Sequence, residues 1–339
     1  MSTNALVIGG TRFIGRHLVA ELLAHDYAVT TFTRGETASP FADDDRVNSV
    51  HGDRTERDAL EQARDAVGPD IVVDTCAYFP ADVEAATEVF ADVDAYVYVS
   101  SGSAYAGSGL ADGRSDVPMR EDETPLMECT PEQAENEEME TYGPRKAEGD
   151  RVVFRAAEEG VNAISVRPML VYGPHDYTER FAYWTDRVAE YDEVVVPFDG
   201  GSLLHRVYVE DVASGLRVAA EEGEPGEAYN VADRNTFSLK QSLELAAAGL
   251  DTDVEIVEAD RTELAAGDLE PSDFPLYVPT PEIVATEKLA ALGWESTPPA
   301  EAVANAATSH RDHGLDGTEN GPDREAEEKV VAAVREREE

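Results

Sequence analysis

Tyr142-Gly143-Pro144-Arg145-Lys146 sets a phenol and an ammonium four residues apart at the start of a stretch with helical period. That spacing puts both on one helix face. A lysine ammonium beside a phenol stabilises the phenolate and lowers its pKa from about 10. Such a tyrosine exchanges a proton with a substrate alcohol near neutral pH. The plain alternative is an exposed Tyr and Lys. Only four lysines occur in the chain, Lys146, Lys240, Lys288 and Lys329, so a chance lysine at this spacing is rarer than usual. Upstream, the run from Tyr96 to Val99 ends in the hydroxyls of Ser100 and Ser101. The C-terminal ends of parallel strands are where ligands bind. A serine there can hydrogen-bond a reacting oxygen; a serine-rich turn is the bland alternative.

A third chemical signal lies near the N-terminus, in Gly9-Gly10-Thr11-Arg12-Phe13-Ile14-Gly15. It follows the apolar run Ala5–Ile8 and opens a stretch in which Phe13, Ile14, Leu18, Val19, Leu22 and Leu23 recur at helical steps. Strand, glycine turn and helix form the context in which such a motif binds a dinucleotide. The first glycine permits the tight turn, and the helix N-terminus offers free N–H groups and a positive dipole end to a pyrophosphate. The last glycine lets helix and sheet pack closely. An ordinary strand-to-helix turn is the alternative, because the spacing departs from G-x-G-x-x-G.

The elements that must position these residues alternate along the chain. Strands are predicted at Ala28–Thr33, Val47–His51, Ile71–Asp74, Tyr96–Ser100 and Ala163–Arg167, and helices at Arg12–Ala24, Glu56–Val67, Ala81–Phe90 and Thr141–Glu159. Short apolar strands separated by helices imply a parallel sheet covered on both faces. The segment Gly107–Thr141, rich in Asp, Glu, Pro and Gly, reads as a long surface loop. After Pro168 the pattern is mixed: a helix over Arg180–Tyr191, strands at Val194–Pro197 and Val207–Val209, and helices near Asp211–Glu221, Leu239–Ala248 and Ile283–Leu292. The organisation expected is a dinucleotide-binding domain over residues 1–168, with segments returning near 203–222. A smaller substrate lobe takes mainly 169–310, and an acidic tail with a terminal helix takes 311–339.

The chain has 339 residues, 42% of them hydrophobic, enough for a sizeable core. Met1–Asn4 leads straight into the first strand without a leader pattern, and no run of about eighteen apolar residues suggests a membrane span. Two cysteines, Cys76 and Cys129, suggest no disulfide framework, so a reduced cytoplasmic setting fits. The charge is extreme: 71 acidic residues against 27 basic ones, a net of −44. Periodic apolar segments run nearly to the end, which argues against an acidic disordered chain. An acidic, lysine-poor surface on a folded core resembles that of proteins from salt-loving archaea, where dense salt screens self-repulsion. Nucleic acid is a poor partner for such a surface, because phosphates are repelled.

Taken together, the ordered set Gly9…Arg12…Gly15, Gly52-Asp53, Ser100-Ser101, Tyr142-x-x-x-Lys146, Arg167-Pro168, Tyr172-Gly173-Pro174 and Tyr208–Ala213 resembles the extended short-chain dehydrogenase/reductase superfamily of epimerase/dehydratase-like proteins, over roughly Ala5–Trp294. Gly9–Gly15, Thr33-Arg34-Gly35, Gly173-Pro174-His175-Asp176 and Arg180–Trp184 look like the branch that includes chloroplast stem-loop-binding proteins. The resemblance implies a Rossmann-type doubly wound α/β fold with a smaller C-terminal substrate lobe. It implies Tyr142 as the acid/base, Lys146 as the holder of the nicotinamide ribose and tuner of Tyr142, and Ser101 as the group that polarises the substrate oxygen. Asp53 would meet the adenine and Ala77 would line the cofactor cleft. Gly9, Thr11, Arg12, Phe13, Ile14, Gly15, Arg34 and Pro168 complete the expected cofactor set. Three departures narrow the reading. Arg12 replaces the family's middle glycine. Gly102-Ser103 stand where sugar-nucleotide dehydratases carry an Asp-Glu pair, which disfavours elimination. Leu204 stands where many sugar-nucleotide epimerases carry a diphosphate-binding arginine, Arg206 being near but not equivalent.

Cofactor choice follows from charge. An acid at the end of the second strand binds the ribose hydroxyls of NAD and repels the 2′-phosphate of NADP. Thr33 stands there, followed by Arg34, with Arg12 able to approach; two guanidiniums and no acid favour NADP over NAD. If Arg34 only faces solvent, NAD is the cofactor. His310 and His313 lack a ligand cluster, so no metal is expected. His175 and Asp176 read as cleft-lining or capping residues, and Arg180, Tyr183 and Trp184 as substrate contacts or packing. The reading is an oxidoreductase or isomerase acting on a sugar or nucleotide-sugar carbonyl or alcohol, with no nucleic-acid or membrane partner. A homodimer is compatible with it. The rivals are a non-catalytic dinucleotide-binding regulatory or RNA-associated protein, and a structural assembly protein.

Overall fold

The computed structural model of the chain describes residues 2–107, 117–198 and 203–338. In chain order the first elements are β1 (Asn4–Ile8), α1 (Phe13–Ala24), β2 (Ala28–Thr33), β3 (Val47–His51), α2 (Arg57–Val67), β4 (Ile71–Asp74), α3 (Pro80–Val89) and β5 (Ala95–Val99). There follow α4 (Pro131–Ala134), α5 (Tyr142–Glu158), β6 (Ala163–Pro168), β7 (Leu170–Tyr172), α6 (Arg180–Glu190), β8 (Glu193–Pro197), β9 (Arg206–Tyr208) and α7 (Val209–Glu222). The last are β10 (Ala228–Val231), α8 (Leu239–Leu250), β11 (Glu255–Ala259), α9 (Arg261–Leu264), α10 (Glu287–Ala291), α11 (Pro299–His313) and α12 (Arg324–Glu338).

The chain forms two compact units. The first takes Met1–Val171, Val209–Ala232 and Val284–Glu295. Its centre is a seven-stranded sheet in the order β10-β6-β5-β4-β1-β2-β3, parallel at every pairing. Apolar β-branched runs such as Ile71-Val72-Val73 suit strands covered on both faces. Helices α1 and α7 pack together on one face, and α2, α3 and α5 on the other. On the latter face Leu6, Ile8, Phe32, Leu60, Val72, Val83, Phe90, Tyr96, Tyr98 and Val153 form one buried cluster. The architecture is the doubly wound Rossmann type. The chain reverses its winding beside β1, so the loops after β1, β4 and β5 emerge at one edge, where ligands bind in such folds.

Register brings these strands to that edge together: Ile8 lies opposite both Phe32 and Asp74, and Val99 opposite Val166. The long segment before α5 is less of a surface loop than expected. Residues 108–116 of it lie outside the described residues. Its described part is pinned by the Tyr105–Leu126 bridge, and Met119 is buried with Tyr105, Met169, Ala232 and Val284. The predicted helix Ile283–Leu292 is also shorter. Val284 bridges Met119 in parallel and the Ala285 N–H donates to the Met119 carbonyl at 2.8 Å, so the helix begins only at Glu287.

The second unit takes Tyr172–Tyr208, Asp233–Ile283 and Ser296–Glu339. It holds a parallel pair, β8 with β11, and helices α6, α8, α11 and α12. Trp184 is buried, stacks on Phe274 and donates its indole N–H to the Pro275 carbonyl at 2.9 Å. The terminal helix of the acidic segment is docked. Val330 and Val334 are buried, and the Glu327 carboxylate, 1% exposed, accepts from Tyr183 Oη at 2.6 Å and Arg187 Nε at 2.9 Å. Among the described residues, no helix is long and apolar enough to cross a membrane.

Candidate functional site

The first glycine turn is built by contact. An added Cβ on Gly15 would fall 2.1 Å from the Gly9 carbonyl oxygen, so the first turn of α1 can lie on that carbonyl only with glycine there. Gly9 itself has φ +92°, and Thr75 Oγ1 occupies the space its Cβ would need. Phe13 is buried; Thr11 and Ile14 are partly buried at the edge. Arg12 is the N-cap of α1 and is exposed, and its side chain makes no capping hydrogen bond. The N-cap side chain thus takes none of the first-turn N–H groups of α1.

Lys146 is a buried cation of the site. It is 3% exposed, and Nζ donates to the carbonyls of Ala77 and Val99, each at 2.8 Å. Those two bonds join the loop after β4 to the end of β5, and a third N–H of the ammonium remains. The Tyr98, Tyr78 and Tyr142 rings lie 4.8, 5.3 and 5.8 Å from Nζ. Burial lowers its pKa to about 8, against the pull of Asp74 and Asp150. Ser101 begins a short turn over Gly102–Ala104, and its Oγ accepts the Ser103 N–H at 3.1 Å. Helix α5 starts on that turn: a Cβ on Gly143 would meet the Ser103 carbonyl at 2.5 Å. Glycine after Tyr142 therefore lets the helix carrying Tyr142 and Lys146 abut the turn carrying Ser101. Beside it, Ser100 Oγ is buried and has no hydrogen-bond partner.

The remaining expected residues fall at the same edge of the sheet. Ala77 is fully buried and Pro168 closes β6 opposite Val231. Asp53 is exposed, and its Oδ1 accepts from Thr55 N–H at 2.9 Å and Thr55 Oγ1 at 2.8 Å. Those bonds hold its carboxyl below the usual range, with Arg34 and Arg54 adding to the effect. Arg34 follows β2, is 65% exposed, and pairs with Glu36 at 3.1 Å. The structure thus groups Ser101, Tyr142, Lys146 and Ala77 closely, and places Gly9–Gly15, Asp53 and Arg34 along the neighbouring strand ends.

Several groups at this edge escaped the sequence reading. Arg54 is buried and ion-paired to Asp74 and to Asp82. Arg145 is buried, lies 4.7 Å over the Phe79 ring and donates to the Tyr78 carbonyl at 3.1 Å. Deeper in the unit, Asp150 Oδ2 accepts from Arg167 Nε at 2.8 Å. Arg167 Nη1 donates to Tyr105 Oη at 2.9 Å, and that hydroxyl donates to Asn230 Oδ1 at 2.7 Å. The one available signal was an acid closing the wholly apolar strand Ile71-Val72-Val73-Asp74, which must find a partner.

Residues of the second unit singled out from sequence are engaged locally. Tyr183 and Trp184 are core. Asp176 accepts from Thr178 N–H at 2.9 Å and Thr178 Oγ1 at 2.7 Å, and Arg180 Nε donates to Thr178 Oγ1 at 3.2 Å. His175 sits at φ +65° with its ring against His313, and His310 is buried between Thr185 Oγ1 and the Gly173 carbonyl, burial lowering its pKa. Leu204 bridges Glu282, and Arg206 lies over the Phe237 ring and donates to the Phe237 carbonyl and Ser242 Oγ.

Comparison with known proteins agrees with the fold. The chain is 27% identical over 238 residues to the chloroplast stem-loop binding protein of 41 kDa b of Arabidopsis thaliana, covering 67% of this chain and 57% of that one. It is 24% identical over 268 residues to 4-hydroxy-2-methyl-3-oxo-4-farnesyl-3,4-dihydroquinoline-1-oxide ketoreductase of Stigmatella aurantiaca, covering 71% and 72% of the two chains. The crystal structure of UDP-glucose 4-epimerase from Thermotoga maritima with UDP-glucose superposes with a TM-score of 0.71 at 20% identity, over 92% of this chain and 99% of that one, and so shares the fold. The model of the NAD dependent epimerase/dehydratase family matches residues 5–232, well over half of the sequence, and the chain belongs to that family.

Proposed function

We propose that the chain is an NAD(P)-dependent epimerase or reductase acting on a carbonyl or alcohol of a sugar-like molecule through Ser101, Tyr142 and Lys146. The observation that supports this most is the setting of Lys146: a buried ammonium held by two backbone carbonyls rather than a carboxylate, on the helix that begins with Tyr142. A dinucleotide fits the neighbouring groups. Gly9 and Gly15 make the close approach, the first-turn N–H groups of α1 lack an N-cap side chain, and Ser100 Oγ is an orphaned buried hydroxyl. In this reading residues 9–15 receive the pyrophosphate, Asp53 the adenine and Lys146 the nicotinamide ribose, while Ala77 and Pro168 line the cleft. When bound, the nicotinamide supplies or accepts a hydride.

The chain's own residues manage the proton. Tyr142 Oη gives a proton to, or takes one from, the substrate oxygen. The Lys146 charge favours the phenolate between those events, and Ser101 Oγ hydrogen-bonds the same oxygen. Arg34 favours NADP, since an exposed Arg34–Glu36 pair is weak and a 2′-phosphate offers a stronger partner. Gly102-Ser103 in place of an acid pair favours epimerisation or reduction over dehydration. A nucleotide sugar is one substrate candidate, following the UDP-glucose in the Thermotoga structure; Leu204 in place of an arginine widens the search to free sugars and small aldehydes. The Arabidopsis relative's name suggests a second reading, an RNA-associated dinucleotide-binding protein, which the net charge of −44 disfavours.

The test is Tyr142→Phe, after a substrate screen across those three classes. The variant is expected to bind NADPH normally and to lose turnover by about a hundredfold or more, the lower end for general acid–base catalysis. Normal turnover refutes the mechanism. Tight NADPH binding with no substrate found favours the binding protein.

A further inference from the structure

Arg54 stands out among the groups for which the proposed chemistry has no role. It is 8% exposed, in the turn between β3 and α2. Its Nη2 donates to Asp74 Oδ2 and, at 3.0 Å, to the Asp82 carbonyl, and its Nη1 lies 2.8 Å from Asp82 Oδ1 as an ion pair. The two carboxylates use their other oxygens on backbone. Asp74 Oδ1 accepts the Cys76 N–H at 3.1 Å, and Asp82 Oδ2 accepts the N–H groups of Tyr78 and Phe79, each at 3.0 Å. The Tyr96 hydroxyl also donates to Asp74, at 3.4 Å. One guanidinium thus ties together two carboxylates that hold the backbone on both sides of Ala77, the residue whose carbonyl receives Lys146 Nζ at 2.8 Å.

We propose that Arg54 is a positioning residue for Lys146: by cross-linking Asp74 and Asp82 it fixes residues 75–79 and, with them, the carbonyl that holds the ammonium. The proposal rests on the reading of Lys146 as a cofactor contact. Nη2 alone hydrogen-bonds, to Asp74 and the Asp82 carbonyl, while Nη1 stands beside the Asp82 carboxylate as an ion pair and Nε has no hydrogen-bond partner; a planar fork holds charge at both places at once, which a point ammonium cannot match. Without the fork, two buried acids face each other uncompensated, so one takes up a proton or the segment opens. Either response moves the Ala77 carbonyl and changes the field at Lys146. The groups facing that ammonium are Asp74, Cys76, Asp82 and Tyr78 from the β4–α3 region, Tyr98 from β5, and Tyr142 and Asp150 from its own helix.

The chain's four lysines make the test direct, because 15Nζ resonances are few and Lys146 is assigned by its loss in Lys146→Met. The variants are Arg54→Lys, which keeps the charge, and Asp82→Asn, which keeps the side-chain shape. Each is read for the pH midpoint of the Lys146 resonance, for NADPH affinity and for melting temperature. Both are expected to shift the midpoint by at least about half a unit, about a threefold change in proton affinity, and to weaken NADPH binding by about fivefold or more. A lowered melting temperature with the midpoint and NADPH affinity unchanged in both variants overturns the proposal and leaves Arg54 a scaffold residue. If Lys146→Met itself binds NADPH as the parent does, the functional reading of Lys146 fails; an Arg54 effect on the midpoint would stand apart from that failure.

Discussion

Two buried cations, Lys146 on helix α5 and Arg167 bonded to Asp150 of that helix, are treated in opposite ways. Lys146 lies one turn before Asp150 on that helix, yet its bonds go to the carbonyls of Ala77 and Val99. Arg167, 1% exposed in β6, takes the Asp150 carboxylate, whose second oxygen accepts Ser165 Oγ at 2.5 Å. Burial acts against both charges. At Arg167 the adjacent carboxylate more than compensates and holds the guanidinium above its ordinary range. At Lys146 burial wins, and the ammonium titrates near 8. A carboxylate partner at bonding distance makes a cation a fixed strut. Carbonyl partners hold its position while leaving its charge responsive, which suits a group expected to serve a ligand and a phenol.

Arg167→Met breaks the strut and carries the largest expected effect. The variant leaves Asp150 buried without its counter-ion and Tyr105 Oη without a donor, and removing one partner of a buried pair costs about 3–5 kcal/mol. Denaturant unfolding is expected to show that loss, while NADPH affinity of the folded fraction is retained. A variant as stable as the parent would mean that Asp150 is relieved by protonation and that the pair is ornamental to the fold.

The legible and the illegible divide along the same line. Gly9–Gly15 and Tyr142-x-x-x-Lys146 were readable because their spacing is local: a tight turn and a helix period. The parallel sheet was readable because Ile71-Val72-Val73 and its like are apolar on both faces. Arg54, Asp74, Asp82 and the Asp150–Arg167–Tyr105–Asn230 chain were not, because their partners stand 17 to 125 positions apart in sequence. A charged residue in an acid-rich chain looks solvated until the fold supplies its partner. The same holds for α12: Glu327, one of 71 acids, is buried only because Arg187 and Tyr183 meet it. The helix Ile283–Leu292 was misread because an apolar run cannot announce that Val284 will bridge Met119.

Alkaline pH sharpens the contrast at Lys146. In the unfolded chain this amine titrates at its ordinary 10.5, in the folded chain near 8. The folded pKa is the lower one, so between those values the unfolded state binds more protons, and stability gains as pH rises through that window. The stability difference between the parent and Lys146→Met should therefore move in the parent's favour from pH 8 to 10. Function moves the other way: above pH 8 the ammonium is lost, and turnover or NADPH affinity is expected to fall by up to about tenfold per unit. A flat profile to pH 10 in both measurements would put Lys146 with Arg167, as a fixed charge.

Salt separates buried pairs from the acidic surface. The Debye length falls from about 10 Å at 0.1 M to about 3 Å at 1 M, so repulsion among exposed carboxylates is screened while Asp150–Arg167 is hardly touched. With a net charge of −44, the melting midpoint is expected to rise markedly between 0.1 and 2 M KCl. Arg167→Met should show the same salt slope at a lower temperature. Equal midpoints in the parent at both salts would remove the high-salt reading of the composition.

Arg34 is the third kind of cation, and its effect is expected to be the smallest. It is 65% exposed and its partner Glu36 is 66% exposed. Exposed pairs contribute little, since both ions keep most of their hydration and spend side-chain entropy on meeting. Arg34→Ala is therefore expected to leave the melting midpoint in place. A 2′-phosphate, with its larger charge and several acceptor oxygens, would draw the guanidinium away from Glu36, so the variant should lose NADPH affinity several-fold while NADH affinity holds. Glu36→Ala, which frees Arg34, should tighten NADPH in the opposite sense. If both variants bind the two cofactors in the parent's ratio, Arg34 belongs to the solvated surface and no 2′-phosphate selection operates at the end of β2.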